Sequence, residues 1–170
     1  MTWHITETEI ATQPIATTST TQNHPLGKIV RAKDPTLGAG EFIYLLGIVG
    51  TVAGLAVFYD GTTGHTALTS TSGVVDGGSP LAIAMSANVA SQYGWYQIGG
   101  NSTVLKTAKQ ITPATPKVYL SATSGRVMPT SVAGRQILGA RFSTVATVTT
   151  TTSTVVVTLN RPSQKTGTLV

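Results

Sequence analysis

The sequence predicts an all-β fold: a small β-sandwich or barrel with an extended N-terminal arm and a Thr/Val-rich C-terminal β segment. Three observations predict it. Thr occurs 31 times in 170 residues and, with Val, dominates a chain holding 18 Gly and 8 Pro, a composition of β-branched residues and turn formers rather than helix formers. Large and small apolar side chains alternate with period two in several short runs. Turn signals separate those runs at close spacing, the pattern of sandwiches and barrels. A hydrophobic content of 41% is too high for a chain disordered throughout.

In chain order, residues 1–26 read as an extended arm: polar, Thr-rich and interrupted by Pro14 and Pro25. Its large apolar groups are Trp3, Ile5, Ile10 and Ile15, too few to repay their own ordering entropy. Trp3, Ile5 and Ile10 are therefore candidate anchors into a neighbouring surface. The start of the chain carries Glu7 and Glu9 and no apolar stretch of the secretory kind, so no leader is expected. Residues 27–142 carry the strand signals of a β-rich core domain. Phe42 to Tyr59 is a run of 18 uncharged residues with a GxxxG pattern, the length of a short membrane helix. Gly47, Gly50 and Gly54 divide it, and Glu41 and Asp60 flank it without a nearby cation. Two buried strands, Phe42–Leu46 and Leu55–Tyr59, are the better reading.

Asp60-Gly61-Thr62-Thr63-Gly64 then closes a hairpin into His65–Thr69. Leu81, Ile83 and Met85 alternate with Ala82, Ala84 and Ser86. Val118 and Leu120 point inward, and Gly125 turns the chain into Arg126-Val127-Met128. Between Arg135 and Phe142, strict alternation places Leu138 with Phe142 on one side and Arg135, Ile137 and Arg141 on the other. Asp76-Gly77-Gly78 and Gly99-Gly100-Asn101 read as turns. Residues 143–170 read as a Thr/Val-rich hairpin followed by a polar tail from Asn160. Phe142 to Asn160 holds 19 residues without a charge, an aggregation hazard unless its own sheet or a neighbouring chain covers it.

Chemistry is sparse. Charged residues make up 10% of the chain, with six Asp and Glu, three His and no Cys. A disulfide scaffold and a thiolate zinc site are excluded. No nucleophile elbow, zincin helix, phosphate-binding loop or dinucleotide fingerprint is present. His4, His24 and His65 are widely spaced, and Asp34, Asp60 and Asp76 sit at turns, where Asp bonds the local backbone. Asn101-Ser102-Thr103 is a formal sequon that reads as a turn. No catalytic, cofactor-binding or metal-ligating residue is assigned, and the protein reads as a non-enzyme. The net charge of +5 comes from eleven cations dispersed along the sequence, so no specific nucleic-acid partner and no membrane is expected. Tyr93, Trp95 and Tyr96 form the most distinctive cluster; they read as core or subunit contact rather than a stacking platform, since no cation adjoins them.

Several runs carry a resemblance. They are Gly40–Ile48 with Val52-Ala53-Gly54, Val57 and Tyr59; Leu81–Met85; Ser91–Ile98; Tyr119–Val127; and Gln136–Ala140. Together they look like the head decoration, or cement, proteins of tailed bacteriophages, across about residues 28–142. The resemblance implies a non-enzymatic protein, made in the host bacterial cytoplasm, that binds the outer face of the capsid and clamps neighbouring major capsid protein subunits. It implies a virion component that self-associates, with a homotrimer favoured over a dimer because three-fold positions occur on capsids. The alternative is a phage tail or surface adhesin binding a host carbohydrate, which requires aromatic side chains and carboxylates around one groove; the sequence shows no such cluster.

Overall fold

The structure, a computed structural model, describes residues 13–69, 78–88, 90–112, 116–143 and 154–165, and the backbone of residues 4–5. Among the described residues twelve strands make one sheet. They are β1 (His4–Ile5), β2 (Thr18–Ser19), β3 (Ile29–Asp34), β4 (Gly38–Leu46), β5 (Ala56–Tyr59) and β6 (Thr66–Leu68). The rest are β7 (Leu81–Ala84), β8 (Tyr93–Leu105), β9 (Lys117–Leu120), β10 (Val127–Met128), β11 (Gln136–Phe142) and β12 (Thr154–Gln164). The described chain is all-β and antiparallel, curled into a partly closed barrel. Phe42–Tyr59 falls in β4 and β5, and among the described residues no helix is long and apolar enough to cross a membrane.

The 13-residue β8 is the spine. One edge pairs β4 from Tyr93 to Gly100. The other edge receives β2 at Tyr93–Gly94, β7 at Tyr96–Gln97 and β12 at Gly99–Leu105. From this spine the sheet curls twice. The path β4–β8–β7–β5–β6 returns on itself through the Leu46–His65 bridge, and inside it pack Ile43, Leu45, Val57, Ala82, Tyr96 and Ile98. The path β8–β12–β11–β9–β10 returns through the Lys106–Val127 bridge, around Val104, Val118, Leu120, Phe142, Val157 and Leu159. Leu81 and Ile83, on the other face of β7, fill this second interior, because both faces of that strand are buried. Each such side chain stabilises the fold by roughly 1.5–3 kcal/mol.

Four sequence expectations are corrected. Residues 13–26 are not a free arm: β2 pairs with β8, and Ile15, at 2% exposure, packs with Val30, Phe42, Tyr44 and Trp95. Gly99-Gly100-Asn101 is not a turn, since β8 runs through it and carries the sequon within a strand. Its glycines answer close approach instead: a Cβ on Gly100, at φ +85°, would lie 2.2 Å from the Ala39 carbonyl oxygen. In β11 the inward residues are Ile137 and Phe142, while Leu138 is 43% exposed. A bulge between Leu138 and Ala140, with Gly139 at φ +70° opposite Arg161 at φ +43°, shifts the parity by one. Finally, Asn160–Gln164 is not a tail but the second half of β12, with Gln164 buried. β12 lies between β8 and β11, so the protein's own sheet covers the described part of the uncharged Thr/Val run. Asp76 and residues 144–153 lie outside the described residues.

Candidate interaction surfaces

Strand alternation in β8 sends Trp95 and Tyr96 to opposite faces of the sheet, and both faces are covered there. Trp95 is fully buried, edge-on to Tyr44 at 4.9 Å between ring centroids, with His24 at 5.3 Å. Its indole Nε1 donates to the Gln13 carbonyl oxygen at 2.9 Å. The Gln13 side chain completes the tie: its Oε1 accepts from Tyr44 Oη at 2.7 Å, and its Nε2 donates to the Tyr93 and Thr17 carbonyl oxygens. Burial, with Lys28 nearby, lowers the His24 pKa, so the ring is neutral in the folded protein at ordinary pH. Tyr96 lies inside the first curl, where Asn88 Nδ2 donates to its hydroxyl, and burial pushes its pKa up to about 12. Trp95 and Tyr96 are core residues and offer no surface to a partner. Tyr93 is half-buried and stacks on Tyr44 at 6.2 Å.

Of the candidate arm anchors, Ile5 lies in β1, which adds to the outer edge of β3 with Ile5 opposite Ala32 and His4 opposite Lys33. Trp3 and Ile10 lie outside the described residues. Among the described residues the exposed large apolar side chains are Ile29, Val49, Val52 and Leu138, of which only Val49 and Val52 share a loop. A patch that small has the size of ordinary surface scatter.

A groove that gathers aromatic and titratable groups sits beside the β5–β6 hairpin. Phe58, Tyr59, Asp60, Thr63, His65 and Ser79 are among its lining residues, around roughly 600 Å³ of space. Asp60 Oδ1 accepts from the Thr62 and Thr63 backbone N–H groups at 2.7 and 3.2 Å, which holds its carboxyl below the usual range. That oxygen is engaged in the turn, as the sequence expects for Asp60, and Asp34 does the same for Thr36 and Leu37. Burial raises the Tyr59 pKa, partly offset by Arg161. The groove is open and holds hydrogen-bonding groups beside aromatic faces. Sequence reading missed it because its walls come from the hairpin and from Ser79–Pro80, more than ten positions further along the chain.

Among the described residues no three His, Cys, Asp or Glu side chains gather as they would to hold a metal. Lys106 is fully buried, and its ammonium donates to the Thr107 and Lys109 carbonyl oxygens, which fixes the loop after β8. Comparison of the chain with protein-family models, curated proteins and solved structures returns no match.

Proposed function

We propose that this protein is a non-enzymatic capsid decoration protein of a tailed bacteriophage, which binds the outer face of the head and clamps neighbouring major capsid protein subunits. The observation that carries the reading is the resemblance of five separate runs to such proteins, together with where those runs fall. Gly40–Ile48, Leu81–Met85, Ser91–Ile98, Tyr119–Val127 and Gln136–Ala140 coincide with β4, β7, β8, β9–β10 and β11. They are thus parts of one sheet joined through β8, not scattered fragments. The low charge and the strand-built surface suit a component present in many copies. A homotrimer at three-fold capsid positions is part of the proposal; its support is symmetry. The uncharged C-terminal run lends it none over residues 154–160, because β12 is covered within the chain. The test is to purify particles from cells infected with the phage that encodes the protein and to locate it by imaging. Copies spread over the head support the proposal, and absence from particles overturns it.

A second reading has one observation in its favour. The groove of Phe58, Tyr59, Asp60 and His65 is the aromatic-plus-carboxylate arrangement that a carbohydrate-binding adhesin requires. Binding of host-surface glycans to the full chain, abolished by Tyr59→Ala, would support it. No binding across a panel of such glycans would remove it.

A further inference from the structure

Five of the eleven cations that are dispersed along the sequence gather on one face of the folded chain. The face of the sheet that lines the first curl turns outward where β8 leaves it, and there the strand registers lay polar residues in rows. One row runs Arg31, Glu41, Gly99, Asn160, through the pairings of β3 with β4, β4 with β8 and β8 with β12. The neighbouring row holds Lys33 opposite Ala39 on β3–β4, then Asn101 opposite Thr158, Thr158 opposite Arg141, and Arg141 opposite Lys117. The Gly40–Gly100 pairing, one residue along from Ala39 and Asn101, joins the two halves of that row. Arg31, Lys33, Lys117, Arg141 and Arg161 are all exposed. Against these five cations, Glu41 is the one carboxylate in the rows among the described residues.

The arrangement of the charge narrows the ligand. Two cations stand at the β3 end and two at the β11–β9 end, five inter-strand steps apart in the order β3-β4-β8-β12-β11-β9. At about 4.8 Å a step, that is about 24 Å along the sheet. In the second row the middle between them is uncharged, Asn101 and Thr158, with Thr158 Oγ1 donating to Asn101 Oδ1 at 2.9 Å and hydrogen-bonded to Ser143 Oγ, while Glu41 and Arg161 pair beside it. No aromatic side chain stands in either row to stack a nucleic-acid base. The face also shows how it holds a carboxylate. Arg31 Nε and an Nη donate to Glu41 Oε1 at 3.2 and 3.1 Å, and Arg161 Nε lies 3.6 Å from Oε2. Arg161 delivers its guanidinium from a left-handed backbone position, φ +43°, that a non-glycine residue rarely holds.

We propose that this outer face is the docking surface for an acidic protein surface, one that brings carboxylates to both basic ends and hydrogen-bonding groups to the middle. It names the chemistry of the partner in the decoration reading and rests on that reading only for the partner's identity; the face itself is independent of it. Binding through it is salt-sensitive, since exposed pairs are screened over about a Debye length.

The test uses the full chain and a labelled oligo-glutamate peptide, followed by fluorescence anisotropy at low and at raised salt. Lys33→Gln, Lys117→Gln and Arg141→Gln together should weaken binding about tenfold or more, as removing charge complementarity does. A control with Lys28→Gln, Lys109→Gln and Lys165→Gln loses the same charge away from the rows and should bind as the parent does. Circular dichroism and thermal melting confirm that both variants fold. If the parent fails to bind the peptide, if both variants lose binding equally, or if a labelled DNA duplex binds more tightly than the peptide, the proposal is overturned. Peptide binding and particle location are separate readouts. Binding without decoration leaves the face standing and removes the capsid partner; decoration without binding does the reverse.

Discussion

Trp95 is the residue on which most of the first-curl exterior depends, because its ring fills the space between the sheet and residues 13–26. Trp95→Ala leaves a cavity and orphans the Gln13 carbonyl oxygen, so urea denaturation should show a loss of about 3–5 kcal/mol. A variant as stable as the parent would mean the ring is not core. His24, against that ring, predicts a pH dependence. Its folded pKa is depressed by burial, so the unfolded chain takes up the proton first. The stability it contributes is complete above about pH 6.5 and is lost as the pH falls below it toward the folded value. Tyr96 acts at the other end: its pKa is raised to about 12, so its contribution is complete below the unfolded value of about 10 and is lost as the pH rises between the two. The urea midpoint measured between neutral pH and about pH 5 should fall in the parent and fall less in His24→Phe. Equal slopes would remove His24 as the cause.

At the scale of elements, residues 13–26 behave as part of the domain, and truncation should show it. Deleting residues 1–12 should leave a cooperative melt, because only β1 among the described pairings is removed. Deleting residues 1–26 also removes Ile15, Gln13 and β2, and should cost about 4 kcal/mol or more, since a buried Ile alone is worth 2–5. Equal melting temperatures for the two truncations would restore the free-arm reading. The reason sequence reading missed this is physical. Gln13 and His24 are polar residues whose burial rests on long-range partners, Trp95 and Tyr44, that no local pattern announces. The strands themselves were legible where alternation was unbroken, as in β7 and β9, or where glycines divided an uncharged run, as in β4 and β5. In β11 the bulge at Gly139 inverted it. Polar Asn160–Gln164 looked like a tail because its partners in β11, Ile137 and Leu138, lie far upstream in the sequence.

For the whole molecule, the all-β class followed from composition and turn spacing, but the double curl about β8 did not. It depends on one strand taking β4 on one edge and β2, β7 and β12 in succession on the other, a pattern that no periodicity encodes. The basic outer face was hidden for the same reason, since its cations lie on four different strands. The decoration proposal makes a claim about number as well as place, because a protein that clamps capsid subunits must recur wherever they meet. The most direct test is to count copies per particle, by quantitative mass spectrometry of purified virions alongside cryo-electron microscopy of the same sample. The proposal predicts hundreds of copies, arranged with the capsid lattice on its outer surface. A few copies or a few dozen, confined to the tail, would contradict it and favour the adhesin.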